Sequence, residues 1–403
     1  MARVAFTWEL GGGLGHLVRY RALVAALCAA GHEVTFIARE VERARGVFGQ
    51  LPVTLEGAPW GATPPALRIA AANSFAEVLW NSGFAEREGL VARLGRWCEL
   101  LDAAQPEIVV ADYSPTAVLA ARHLRGIRTI ASGNGFYLPP RLRPLPPLRY
   151  WQAADRAGLA RSEAALLANI NAALQALGGH PVPSVVDGIL TEETFLQSFE
   201  EFDHAYERPD ADYLGAYPNE SFGLGPEWPD GNGPRLFAYL EPTVLLPDLL
   251  AAFAALELRV CLYAPGADPA LTRCGEGIAW MPGPVALAQA AAEADAYVSN
   301  ANINSMMAFL LAGRPQLVVP YTLEKYLVGR RLEMLGAGLS APRGNPGDLV
   351  VKLRAVLTQR QYRRAAERFA DRYAGGNEAT HAAEMLRRLG LGNTPKTAVN
   401  AMV

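Results

Sequence analysis

Cysteine is scarce in this sequence: four residues, Cys28, Cys98, Cys261 and Cys274, lie far apart and none falls in a C-x-x-C pair. That spacing excludes a disulfide framework and a thiolate zinc site, and the four read as reduced core residues. Charge is sparse as well. Charged side chains make up 19% of the chain and the formal net charge is −3, so no nucleic-acid or anionic-membrane partner held by bulk charge is expected. No uncharged apolar run reaches bilayer length, so no integral membrane segment is expected. Met1 leads into a strand-like stretch without the basic region and apolar stretch of a secretory signal. A cytoplasmic, bacterial-type enzyme is the expectation. Internal repeats and low-complexity segments are missing too.

What is present suits a large buried core. Hydrophobic residues make up 51% of 403, a length that divides more readily into two cores than one. Residues 4–8, VAFTW, read as a buried strand, followed by the glycine loop ELGGGLGH at 9–16. Leu17, Tyr20, Leu23, Val24 and Leu27 then recur at helical spacing over residues 17–30, Gly31 ends that helix, and VTFIA at 34–38 is the next strand. A β-loop-α-β unit of this kind pairs its strands in parallel through a right-handed crossover. The pattern recurs in a strand at 107–113, a helix at 115–124 and a strand at 129–136.

Residues 151–207 read as helical, and 217–234 concentrate turn formers as an interdomain linker would. A second run of strands follows at 235–241, 258–264, 277–280, 295–300 and 315–321, and a final helix over 359–389 is expected to cross back onto the first domain. The predicted class is therefore α/β, with two doubly wound Rossmann-like domains facing across a cleft and ligands at the carboxyl ends of the strands. The expected divisions are 1–216, the linker 217–234, 235–370, and a returning helix at 371–392.

The glycine loop permits two chemistries. A dinucleotide fingerprint wants G-x-G-x-x-G, but the third glycine position is occupied by His16. Glu9, just before the glycines, would repel phosphate; it suits an acceptor hydroxyl or amine, or a solvated loop. The other reading is a loop kept backbone-thin at Gly12, Gly13 and Gly15 so that an acceptor approaches His16. His16 sits at a strand-to-helix turn and Asp112 at the end of a later strand, so both fall at one cleft edge. An imidazole there suits general-base work, and an acid beside it holds the tautomer. Plain helix capping is the bland alternative for both.

Three segments resemble the nucleotide-sugar-dependent family 1 glycosyltransferases of the GT-B fold, the UDP-glycosyltransferase-like and antibiotic or macrolide type. GGGLGHLVRYRALVAALCAAGHEVTF is similar to the family's first loop, helix and strand, and IVVADYSPTAVLAARHL to the segment bearing its acid. The stretch from Trp280 to Leu339 is similar to its donor signature, W-x-P, HGG-x-NS, then DQ; residues 140–215 carry no matching motif. The resemblance implies a metal-independent, inverting hexosyl-type transfer from a nucleotide-sugar to a hydroxyl of a small, apolar acceptor. It implies no cofactor and no metal, only the nucleotide-sugar as co-substrate. His16 would be the base and Asp112 its orienting acid.

On the donor side the resemblance places Trp280 against the nucleobase, or else in the core. Asn304 and Ser305 open a helix whose amides suit a diphosphate. Asn300 stands for a phosphate-binding histidine, Asn302 for a glycine, Ala308 for a ribose-binding glutamate, and Glu324-Lys325 for the sugar-holding Asp-Gln pair. Glu241 replaces a small turn beside the diphosphate, with Thr243 as a hydroxyl donor and Lys325 or Arg19 as offsetting charge. Arg19 replaces a common proline. Aromatic residues of the first domain, Phe136 and Tyr137 among them, are candidates for an apolar acceptor pocket. The retained His16 and Asp112 favour an enzyme. The changes at Asn300, Ala308 and Glu241 favour a GT-B-fold auxiliary or binding protein, and another GT-B enzyme such as an epimerase or hydrolase is a third class.

Overall fold

The opening strand sets the pattern for the fold. In β1 (Arg3–Trp8), Val4, Phe6 and Trp8 enter one apolar cluster while Ala5 enters another, so both faces of the strand are covered. A strand buried on both faces belongs in a parallel sheet flanked by helices. The computed structural model describes residues 1–392 apart from 206–207, 209–210, 220–221, 242–244, 269, 272–276 and 343–345. Thr243 and Cys274 lie outside the described residues.

Five more strands complete the first sheet: β2 (Glu33–Ala38), β3 (Val53–Gly57), β4 (Ile108–Asp112), β5 (Arg128–Gly133) and β6 (Thr194–Leu196). They run parallel in the order β3-β2-β1-β4-β5-β6. The second sheet holds β7 (Arg235–Tyr239), β8 (Arg259–Tyr263), β9 (Ile278–Trp280), β10 (Ala296–Ser299), β11 (Gln316–Val318) and β12 (Gly338–Ser340). Its order is β12-β11-β10-β7-β8-β9, again parallel throughout. Each order reverses at a switch point, between β1 and β4 in one sheet and between β7 and β10 in the other. Such a reversal opens a crevice at the carboxyl ends of the strands. Trp8 pairs with Asp112 across the first switch, which puts both residues at that crevice.

The structure departs from the sequence reading in three places. The stretch 151–207 is not helical throughout: after helices Arg156–Ala176 and Val185–Ile189 it contributes β6. Three residues are too few for a strand period to show. The helix expected over 17–30 is two pieces, Gly15–Val18 and Arg21–Ala29, and Arg19 falls in the turn between them. The terminal helix is also two, Arg360–Arg372 and Glu378–Leu389. Gly375 and Gly376 separate them, and a capping box between Asn377 and Thr380 starts the second.

That last helix returns to the first sheet. Ala382, Met385 and Leu389 join the cluster that holds Leu23, Val24 and Leu27 of helix Arg21–Ala29. Arg128 caps its end by donating to the carbonyls of Leu389 (2.7 Å) and Arg388 (2.9 Å). Among the described residues no helix is long and apolar enough to cross a membrane. Met385 is 1% exposed. Met385→Ala should therefore cost about 2–5 kcal/mol, read as a lower urea midpoint with an unchanged slope. A loss under about 0.5 kcal/mol would show that the returning helix contributes little to the first core.

Candidate active site

The carboxyl ends of the two sheets face one cleft of about 880 Å³. One wall is the glycine loop with His16, Arg19 and Tyr137; the other carries Glu241, the turn at 301–305, Glu324 and Lys325. His16 lies in the short helix Gly15–Val18 and is 4% exposed. Its Nδ1 is 3.2 Å from Oδ2 of Asp112, itself buried at the end of β4. The imidazole stacks on Trp8, centroids 5.1 Å apart and planes at 14°. With Nδ1–H donated to the carboxylate, Nε2 is the nitrogen left to accept a proton.

Nε2 explains a glycine the sequence did not single out. Gly11 has φ +77°, and a Cβ there would stand 2.8 Å from His16 Nε2. A side chain at this position would cover the basic nitrogen. Gly15 is constrained from the other side of the cleft, since its Cβ would meet Asn304 Nδ2 at 2.7 Å. Gly12 and Gly13 line the cleft without such contacts. The signal was the glycine run itself; which members matter depends on what crosses the loop.

Arg19, from the turn after the His16 helix, lies against the same carboxylate. Its Nε is 4.0 Å from Asp112 Oδ2 and donates to the Gly15 carbonyl at 2.9 Å, while Nη2 donates to Asn304 Oδ1 at 3.2 Å. Asn304 Nδ2 donates to the same Gly15 carbonyl at 3.1 Å, closing a triangle between the halves. Burial works against the guanidinium charge, but Asp112 and nearby acidic groups outweigh it, and the Arg19 pKa is raised.

Glu9 and Phe136 lie behind the loop, outside the cleft lining. The Glu9 carboxylate is buried and accepts hydrogen bonds from Trp97 Nε1 (3.0 Å), Thr116 Oγ1 (2.6 Å) and the Thr116 amide (3.2 Å). Burial raises its pKa to about 7, with Thr116 and Arg93 pulling the other way. Phe136 packs edge-on against Phe75 and Tyr137. Tyr137 is the aromatic residue of that segment that reaches the cleft.

On the opposite wall the sequence-predicted residues divide. Trp280 packs with the apolar cluster behind the second sheet and does not line the cleft. Asn300 is fully buried and joins strand ends: its Oδ1 accepts from the Glu241 amide at 2.7 Å and its Nδ2 donates to the Val319 carbonyl at 3.1 Å. Ala308 is in the core of helix Ile303–Leu311. Asn302, Asn304 and Ser305 do line the cleft, at the start of that helix. No side chain caps it, and Ser305 Oγ turns inward to Tyr297 (2.8 Å) and the Asn302 carbonyl (3.0 Å). Helix geometry leaves the first-turn amides without intrahelical acceptors.

Glu241 is neutralised in place. Lys325 Nζ donates to its Oε1 at 3.0 Å, and Tyr321 donates its hydroxyl to the same carboxylate. Burial lowers the Lys325 pKa while Glu241 raises it. Glu324 reaches the other half: its Oε1 accepts from Tyr137 OH at 2.8 Å and Asn134 Nδ2 at 3.1 Å. Among the described residues no three His, Cys, Asp or Glu side chains are grouped to hold a metal ion.

Ala301 sits at the entrance of helix Ile303–Leu311 with φ +66°, a region costly for any residue with a Cβ. Ala301→Gly should stabilise the protein by about 1 kcal/mol in urea melts; a lowered midpoint would disprove the strain. Glu9 holds its proton more tightly folded than unfolded, where the reference value is 4.5. Its contribution to stability is thus fullest below about pH 4.5 and lost as pH rises through about 7. Glu9→Gln should flatten the fall in Tm across that window, and an identical profile would remove Glu9 as its source.

No protein-family profile and no curated protein matches the sequence. Solved structures do. The spinosyn rhamnosyltransferase SpnG, complexed with spinosyn aglycone, matches with a TM-score of 0.68 at 18% identity, over 97% of this chain and 100% of its own. The glycosyltransferase VinC, complexed with dTDP, matches at 0.69 and 19% over the same shares, 97% and 100%. SnogD from Streptomyces nogalater, also a glycosyltransferase, matches at 0.63 and 20%, covering 96% of this chain and 99% of its own. The chain therefore has the GT-B fold, two Rossmann-like α/β domains that face each other across a ligand-sized cleft.

Proposed function

We propose that the protein is an inverting glycosyltransferase that moves a sugar from a nucleotide-sugar to a hydroxyl of a small, apolar acceptor. The observation that carries this reading is the buried His16–Asp112 pair, with His16 in the cleft wall, its Nε2 left to accept a proton, and an open helix N-terminus on the opposite wall. The acceptor hydroxyl gives its proton to Nε2 while its oxygen attacks the anomeric carbon from the face opposite the leaving group. The bond from that carbon to the diphosphate breaks, and the electron pair leaves with the diphosphate. Asp112 stabilises the imidazolium, which returns its proton to solvent. The helix dipole and first-turn amides receive the leaving charge, so no metal is assigned a role. The ligands named for the structural neighbours, an aglycone with SpnG and dTDP with VinC, support a nucleotide-linked donor and a small acceptor. A cytoplasmic setting belongs to the same proposal.

The inward placement of Trp280 and Asn300, with Glu324 engaged across the cleft, favours a second reading as a GT-B-fold auxiliary protein. Ligand binding separates the two. Under the transferase reading, a thermal-shift panel of nucleotide-sugars and free nucleotides should contain at least one ligand that raises Tm as its concentration passes Kd. A flat panel points to the auxiliary role. His16→Ala should lower turnover about 10²–10⁴-fold with donor affinity nearly unchanged, and wild-type turnover in that variant would remove His16 from the chemistry.

A further inference from the structure

Asn300, at the position the family fills with a phosphate-binding histidine, has its carbonyl and its amide nitrogen both engaged by backbone groups. Lys325 is held by Glu241 and Tyr321. The second half of the molecule therefore brings amides and a dipole to the helix Ile303–Leu311 but no unengaged cation from either position. A guanidinium does stand there, and it comes from the first half. Arg19 places Nη2 against Asn304 in the first turn of that helix, with its side chain 7% exposed. Its Nη1 is buried and, among the described residues, has no hydrogen-bond partner. Asn302 Nδ2, at the helix entrance, is likewise buried without a partner. A buried donor left unpaired calls for a partner, such as a water, an ion or a ligand, and these two stand together at one helix entrance lining the cleft.

From this we infer that Arg19 binds the donor's diphosphate, forming with the first-turn amides of helix Ile303–Leu311 and Asn302 Nδ2 an anion site shared by the two halves. A planar guanidinium offers two nitrogens to a phosphate at once, and it keeps its charge when buried. Asp112 Oδ2 stands 4.0 Å from Arg19 Nε, so the cation that meets the leaving group also neighbours the carboxylate that orients the base. The inference rests on the transferase reading only for the identity of the anion.

Calorimetric titration of the full chain with inorganic pyrophosphate tests it apart from turnover. The wild type should bind. Arg19→Gln should weaken binding at least about tenfold, equal to about 1.4 kcal/mol, and flatten its dependence on salt. Arg19→Lys, which keeps the charge but loses the fork, should weaken it about threefold and keep the salt dependence. Pyrophosphate affinity unchanged in a cooperatively melting Arg19→Gln would overturn the proposal. If Arg19→Gln does not fold, unchanged affinity in Arg19→Lys overturns it equally, as does a wild type that binds no pyrophosphate at millimolar concentration. Arg19-dependent binding in a protein that turns over no nucleotide-sugar would sink the transferase reading and leave this site standing. Sugar transfer that persists with Arg19-independent binding would do the reverse.

Discussion

The missing Cβ at Gly15 governs how the two halves meet. Asn304 reaches from the helix Ile303–Leu311 to the Gly15 carbonyl, and Arg19 closes on both the carbonyl and the amide oxygen. A side chain at Gly15 would drive Asn304 back and open that triangle. Because His16 is the next residue in the same short helix, the contact that joins the halves also fixes the imidazole. Further bonds repeat the joining at the periphery. Arg331 donates to the carbonyls of Asp203 and Ala205, and Arg372 pairs with Glu200 and Glu201. These pairs around Arg372 are exposed and contribute little each. The part-buried triangle at Gly15 joins the halves within the cleft, as do the bonds from Tyr137 and Asn134 to Glu324.

Much of the fold was readable because strands covered on both faces appear as apolar runs. VAFTW, VTFIA and the strands at 107–113, 235–241 and 258–264 all fall where the sequence put them. The strands that escaped notice, β3, β6 and β12, are outermost in their sheets or only three residues long. An edge strand loses one apolar neighbour, and with it the pattern that announces it. The break before Asn377 had a signal in Gly375-Gly376, outweighed by the helical pattern on either side. That His16 and Asp112 would meet was legible, since β1 and β4 are neighbours and both residues stand beyond or at their carboxyl ends. Asn300, Trp280, Glu9 and Phe136 also stand at or near strand ends, yet their side chains turn inward. Position along the chain is set by the sequence pattern; the direction of a side chain is set by partners such as the Val319 carbonyl or Trp97, which lie far away in sequence.

Glu241 shows how charge decides roles in this cleft. A carboxylate near a diphosphate is unfavourable by simple repulsion, and the sequence alone makes it look disabling. In the structure it forms a compact set with Lys325 and Tyr321, so its charge is met locally. The same pairing removes Lys325 as a free cation. One acid and one base thereby cancel at the carboxyl end of β7, and Arg19, bonded to Asn304 in the first turn of helix Ile303–Leu311, gains weight as a cation at the helix entrance.

The unequal legibility of the two halves has a common physical origin. In the first half the proposed chemistry uses side chains, an imidazole and a carboxylate, each identifiable by type. In the second half the proposed anion contacts come mostly from backbone amides, which every residue but proline supplies. Asn300 in place of a histidine and Asn302 in place of a glycine alter a recognisable motif, while the helix still begins at Ile303 and still presents its amides to the cleft. What such a site does demand is that its first turn stay uncapped, and it is: Ser305 bonds inward and Asn302 caps nothing. Side-chain drift at the end of β10 is therefore compatible with a working anion site, provided a cation arrives from elsewhere. The turn after His16, which carries Arg19, is where this chain places one.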